Sequence, residues 1–224
     1  MRILVRSLLV AALLAGCTQA PVPPVLAPTG DILNWYRGAS AREPIYKIDS
    51  ARSLIAVTVR RGGPFARFGH DHVVASHTVE GLAAPRTGRA DFYFRLDQLS
   101  VDEKPLRDAA GLDTEPSEDA IAGTRNNMLT RVLEAEHYPV VQLHAQRIAA
   151  QPDKLKLSIT LHGVTRSYEV PTRIEQTDSA LTASGALTLL QSDFAIKPMS
   201  IMGGALTVQD ALEVRFTLVA RPRD

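Results

Sequence analysis

The chain has 224 residues, of which 25 are Lys or Arg and 24 are Asp or Glu, so its formal net charge at pH 7 is +1. A balance this even excludes the strong positive field that draws a protein to nucleic acid. Cys17 is the only cysteine, which excludes an internal disulfide and any metal site built from several thiolates. The fold must therefore be stabilised by its own core.

The first residues resemble a bacterial lipoprotein signal. Two arginines precede an apolar run over residues 8–14, which is too short to span a bilayer as a helix. The run ends in Leu-Ala-Gly-Cys, a pattern in which the cysteine is lipidated and the chain is cut just before it. We predict a signal peptide over residues 1–16 and a lipid anchor on Cys17. Because Thr18 rather than an aspartate follows, the expected location is the periplasmic face of the outer membrane. An ordinary secretory signal with a chance cysteine is the alternative.

Residues 17–44 are predicted to form a tether and a docking segment. Four prolines between residues 21 and 28 favour an extended polyproline II conformation. The only tryptophan, Trp35, and its neighbour Tyr36 are expected to dock on the folded domain as a short helix or turn. The folded domain itself is predicted to cover residues 45–220.

Apolar and polar residues alternate through most of this domain. In residues 53–61, for example, Ile55, Val57 and Val59 point to one face and their neighbours to the other. Such alternation predicts strands with one buried face, and short strands separated by turns indicate an antiparallel sandwich or barrel. The predicted strands cover residues 45–49, 53–61, 72–82, 88–97, 140–149, 153–163, 167–175, 181–191 and 211–220.

One segment has helical periodicity instead. Its apolar residues recur at a spacing of three to four: Ile121, Met128, Leu129, Val132 and Leu133. Ser117 can cap the start of this helix, and Pro139 ends it. The preceding polar stretch, residues 101–119, is predicted to be a loop that is either mobile or covers an opening.

Six segments, in order, resemble the YceI-like, polyisoprenoid-binding family. No single segment is specific, but their order along residues 45–219 is. The segments are YKID from residue 46, HDHVVASHTVEG from 70, RDAAG from 107, VLEAEHYPVVQLHAQRI from 132, LSITLHGVTRSYEV from 157 and LLQSDFAIKP from 189.

The resemblance implies an all-β fold, a lipocalin-like antiparallel β-barrel with one α-helix inserted about midway. It also implies a long apolar cavity for an isoprenoid tail, and an eight-strand barrel is wide enough for one small ligand or for packed side chains. Whether the interior is a cavity or a filled core stays open at this point. The candidate ligand-binding residues are Phe92, Phe94, Leu143, Leu157, Ile159, Leu187 and His72.

His70 and His72 would share a strand face and could ligate one metal ion. A cupin-type site needs a glutamate a few residues later, and Glu80 is too distant; His144 or His162 could supply a third ligand only if the fold brought it near. The preferred interpretation is that these histidines bond loop backbone at the barrel mouth or meet the polar head of a ligand.

The sequence thus predicts an envelope lipoprotein that binds an isoprenoid lipid or a quinone-like amphiphile as a carrier or for sequestration. We predict no catalytic residue, metal or cofactor, because the usual motifs of hydrolases, zinc peptidases and nucleotide-binding loops are missing. The alternatives are a metal- or haem-dependent enzyme or electron-transfer partner using His70 and His72, and a filled barrel that serves in adhesion or assembly. The oligomeric state is left open, with a dimer among the options.

Overall fold

The computed structural model describes residues 30–112 and 114–223. The predicted signal peptide, Cys17 and the proline-rich tether lie outside these residues and remain predictions. The strands in the described part are β1 Tyr46–Ile48, β2 Leu54–Gly62, β3 His72–Ser76, β4 Glu80–Ala84, β5 Arg89–Arg95, β6 Ser100–Val101, β7 Val140–Ile148, β8 Gln151–Leu161, β9 Val164–Gln176, β10 Leu181–Leu190, β11 Ser200–Ile201 and β12 Leu206–Pro222.

Eight of these strands form a closed antiparallel barrel, in the order β1, β4, β5, β7, β8, β9, β10 and β12. The ring closes where β12 pairs with β1, with Ala220 opposite Ile48. The earlier part of β12 pairs with β2, and β3 and β6 continue the sheet from there. The predicted lipocalin-like barrel is confirmed, and pairing along the whole ring leaves few strand edges exposed.

The single strand predicted over residues 72–82 is wrong, because the structure divides it into β3 and β4. Residues 77–79 leave the sheet, and the completely buried Val79 accepts a hydrogen bond at its carbonyl from the Ser50 hydroxyl at 2.7 Å. The break lets β3 pair with β2 while β4 pairs with β1 and β5. Local alternation continues across the break, so it could not reveal that the two halves have different partners.

The helix predicted midway along the chain is present as α3, Glu118–Asn127, and a π-helical turn, Met128–Val132, continues it. As predicted, Ser117 caps its start, since the hydroxyl accepts a hydrogen bond from the Ala120 amide at 3.3 Å. None of the helices in the described residues is long and apolar enough to span a bilayer.

The polar stretch predicted to be a loop also contains a helix, α2, Lys104–Ala109. Its Arg107 is buried, with a side chain only 4% exposed, and is paired with the fully buried carboxylate of Asp102. A buried ion pair of this kind needs partners that are fixed in space, and that contact orders the segment. The composition of the stretch, which is polar throughout, gave no sign of a buried arginine.

The N-terminal helix α1, Gly30–Ala39, lies on the outside of the barrel. The buried Tyr36 hydroxyl lies 3.0 Å from the Leu82 carbonyl oxygen and 2.9 Å from Oδ2 of Asp91. The Arg89 guanidinium stacks 4.2 Å above the ring of Trp35 and also bonds Asp91. The two aromatic residues therefore dock on the barrel through a short helix, and a buried carboxylate fixes its position.

Candidate ligand-binding site

The barrel encloses a cavity of about 520 Å³ whose wall is almost entirely apolar. This volume lies in the usual range for sites that bind small molecules. The six apolar residues predicted from the sequence all line it: Phe92, Phe94, Leu143, Leu157, Ile159 and Leu187. The barrel interior is therefore a cavity and not a filled core. Binding of a ligand by these residues remains a prediction.

Strand register explains why these residues meet on one wall. Phe92 on β5 lies opposite Leu143 on β7, and Leu143 lies opposite Ile159 on β8. Residues that are directly opposite in neighbouring strands point to the same face, so the three form one row across the wall. Gly81 gives this row space on its other side, because a Cβ there would lie 2.5 Å from the Cβ of Phe92.

The cavity opens at one end of the barrel. Where β12 ends, the lining residues Ile48, Ala83 and Ala220 are at most 7% exposed. Near the start of β12, Phe68 lines the cavity although it is 65% exposed, and Ile201 lines it at 42% exposure. A residue that both lines a cavity and faces solvent marks its mouth. The mouth therefore lies between the β2–β3 connection and the segment before β12.

His72 faces the cavity near this mouth, and its ring is oriented by a buried carboxylate. Nδ1 of His72 lies 2.5 Å from Oδ2 of Asp102, whose side chain is fully buried. The other oxygen of Asp102 accepts hydrogen bonds from the Val73 amide at 3.0 Å and from Nη1 of Arg107 at 2.5 Å. Arg107 also donates to the Asp71 carbonyl at 2.8 Å. The chain thus places a buried polar network behind one histidine, in which Nε of Arg107 has no hydrogen-bond partner among the described residues.

This network determines which nitrogen of His72 carries the proton. Burial alone would raise the pKa of the Asp102 carboxyl, but hydrogen bonds from His72, the Val73 amide and Arg107 outweigh it and hold that pKa below its usual range. The ionised carboxylate can only accept, so Nδ1 of His72 carries the proton in their bond. Nε2 has no partner among the described residues, and in the neutral ring it is a hydrogen-bond acceptor facing the cavity.

Sequence reasoning identified His72 and missed the residues that orient it. Arg107 lies in the RDAAG segment, which carried the family resemblance, but nothing in that segment pointed to Asp102 or His72 as its partners. Ser76 was missed too: it lines the cavity, is 1% exposed, and its hydroxyl has no hydrogen-bond partner in the described part of the chain. A lone serine in an apolar strand has no sequence signal that separates a cavity position from a packed one.

The other histidines do not join His70 and His72. The ring centroids of that pair are 6.3 Å apart. His144 bonds Asp91 beside α1 at 2.7 Å, and the ring of His162 lies against the Phe194 carbonyl at 3.3 Å. Within residues 30–112 and 114–223, no three His, Cys, Asp or Glu side chains are grouped as a metal site would require.

Comparison with known proteins gives a family and a fold. The family described as YceI-like domain matches residues 46–220. A polyisoprenoid binding domain from Saccharophagus degradans, implicated in plant cell wall breakdown, has a TM-score of 0.58 and 12% identity over 81% of this chain and 100% of its own. Burkholderia cenocepacia BcnA has a TM-score of 0.52 and 14% identity over 77% and 98%. No curated protein matches the chain in sequence. At these identities the two structures support the fold alone.

Proposed function

Because this chain belongs to the YceI-like domain family, we propose that it binds a lipid, and specifically that its barrel holds the tail of an isoprenoid lipid or quinone-like amphiphile. The apolar cavity with one open end is the observation that carries the proposal. The polyisoprenoid binding domain with the same fold supports the choice of ligand class. We propose binding of the lipid and no chemical reaction.

The energetics favour a long tail. Each buried methylene contributes about 0.8 kcal/mol, so a five-carbon isoprene unit contributes at most roughly 4 kcal/mol. Association costs on the order of 4–15 kcal/mol, which roughly four such units outweigh. A short apolar ligand would gain too little in the same cavity, and so the cavity selects for length.

The polar network selects the head of the ligand. When the His72 ring is neutral, Nε2 is an acceptor, and a head that donates a hydrogen bond, such as an alcohol, a phenol or a quinol, then fits it better than a carbonyl. Asp102 holds the ring in place, and the exposed His70 stands beside it at the mouth. We therefore propose that the hydroxyl head lies at the mouth and the tail extends toward the buried end.

We also propose a cellular role: anchored in the envelope through Cys17, on the periplasmic face of the outer membrane, the protein carries or sequesters its lipid. The signal-like Leu-Ala-Gly-Cys pattern at residues 14–17 supports this part. The predicted tether and docking segment of residues 17–44 would hold the barrel near the surface that supplies the lipid.

Native mass spectrometry of protein purified from its own membranes tests the binding proposal. We expect one bound lipid with a hydroxyl head and an isoprenoid tail, and His72→Phe should weaken retention of that lipid about five-fold, since a neutral hydrogen bond contributes about 1 kcal/mol. The exposed His77, bonded to Glu103 at 2.9 Å, provides the matched control, and His77→Phe should retain lipid normally.

Two results would contradict this proposal. Native protein that carries no lipid would defeat binding in the barrel. Elemental analysis that found one zinc, copper or iron per chain, lost on His72→Ala, would instead favour the metal- or haem-dependent alternative.

A further inference from the structure

The surface around the mouth is unusually apolar. The described residues include six exposed large apolar side chains, and four of them belong to two segments, residues 63–71 and 195–205, which we call the rim. These four are Phe65 at 40%, Phe68 at 65%, Ile201 at 42% and Met202 at 67% exposure. Large apolar side chains that stay exposed together mark a site of interaction.

The two rim segments form one continuous surface. The Phe65 amide donates a hydrogen bond to the Ala205 carbonyl at 2.8 Å. Gly63 lies so close to the same carbonyl that an added Cβ would be 2.6 Å from its oxygen. The rings of Phe65 and Phe68 meet edge to face with centroids 5.9 Å apart. The segments are thus held side by side, with the cavity mouth beside them.

The charge of the rim is positive. Its acidic residue, Asp71, is neutralised by Arg60 at 3.3 Å and Arg61 at 3.7 Å, both on β2. Arg67 and Lys197 are exposed, and neither forms an ion pair with another described residue. The Arg67 guanidinium lies 4.7 Å above the ring of Phe68, which places a cation directly beside an exposed aromatic side chain.

We propose that the rim docks on an anionic lipid surface, with Phe65, Phe68 and Met202 inserted among the lipids and with Arg67 and Lys197 on the headgroups. Apolar side chains next to basic ones are what binding at a bilayer interface requires. Docking in this orientation aligns the mouth with the lipid layer, so an apolar tail passes into the cavity without crossing water. This last step rests on the proposed function; the docking itself does not.

The chain permits a site-resolved test, because it has one cysteine. Full-length protein carrying Cys17→Ser cannot be lipidated, and a cysteine added to it is the only place for a thiol-reactive, environment-sensitive fluorophore. The emission maximum of the label at Met202→Cys should shift to shorter wavelength when vesicles containing phosphatidylglycerol are added. Leu33→Cys, at a residue on α1 that is 42% exposed against 67% for Met202, should show no shift.

Sedimentation with the same vesicles gives the affinity. Phe65→Ser combined with Met202→Ser should bind at least ten-fold more weakly, and these two residues do not line the cavity. Arg67→Gln combined with Lys197→Gln should weaken binding roughly 25-fold, because each basic residue near an anionic surface contributes about a factor of five. On phosphatidylcholine vesicles, which the protein should bind more weakly, the Arg67→Gln, Lys197→Gln variant should have the same affinity as the unsubstituted protein.

Failure of the docking and failure of the binding proposal are distinguishable. A label at Met202 that does not respond to vesicles overturns the docking, whatever lipid the native protein carries. A second result would also overturn the docking: the unsubstituted protein does not bind vesicles and is dimeric by light scattering, and the Phe65→Ser, Met202→Ser double variant is monomeric. The rim would then be a contact between two copies of the chain. A Met202 label that responds while native protein carries no lipid supports the docking and overturns the binding proposal alone.

Discussion

Replacing Ile159 by glutamine should weaken lipid binding much more than it weakens the fold. Ile159 is 4% exposed, lies two residues before the end of β8 and lines the cavity. In the empty barrel the new amide faces a space of about 520 Å³, which is large enough for water to hydrogen-bond it. A bound tail would remove that water, and an unpaired buried amide costs about 1–3 kcal/mol, which corresponds to a roughly 5- to 150-fold loss of affinity.

Ile196→Gln is the matched control. Ile196 is 3% exposed and belongs to the same hydrophobic core, but it does not line the cavity. Its amide would be buried without water in the empty protein, so the penalty of about 1–3 kcal/mol falls on folding. In a domain of this size such a penalty lowers the melting temperature by roughly 2–12 °C. We therefore expect Ile196→Gln to melt lower than Ile159→Gln by about that amount.

The assay pairs a thermal melt of lipid-free protein with mass spectrometry of lipid retained by protein from its own membranes. The reasoning would be refuted if Ile159→Gln melted as low as Ile196→Gln while the unsubstituted protein carried no lipid. That result would mean that the barrel interior is as tightly packed as an ordinary core.

Three further predictions concern the anchor, the network behind His72 and the docking of α1. Cys17→Ser should move the protein from the detergent phase to the aqueous phase of a detergent partition, and an unchanged distribution would contradict the anchor. Asp102→Asn leaves the buried Arg107 unpaired, so we expect a loss of roughly 3–5 kcal/mol at neutral pH, measured by denaturant unfolding. Because the folded-state pKa of Asp102 is lowered, its contribution to the free energy of unfolding is present above about pH 4 and disappears as the pH falls further. The free energies of unfolding of the unsubstituted protein and of Asp102→Asn should therefore converge in acid, and a pH-independent difference would contradict this. Tyr36→Phe removes the hydroxyl donor to Asp91, and we expect a loss of about 1.5–3 kcal/mol in the same measurement; no loss would mean that the bond is replaced by water.

The faces of the strands and the place of α3 could be predicted from the sequence, because both depend on local patterns. Alternation along β5 and β8 assigns Phe92, Phe94, Leu157 and Ile159 to one face without knowledge of the partner strands, and all four line the cavity. In the same way, a serine before an apolar three-four repeat predicts where α3 begins, and Ser117 does cap it.

The division of residues 72–82, helix α2 and the mouth of the cavity could be decided only by the tertiary structure. β3 and β4 separate because each pairs with a different strand, and Arg107 is buried because Asp102 and the Asp71 carbonyl meet it. The same apolar pattern is found in the strands of a filled barrel and of a hollow one, because the two differ only in whether side chains on opposite walls touch. That depends on the diameter of the closed ring and the length of the facing side chains, which no single strand determines.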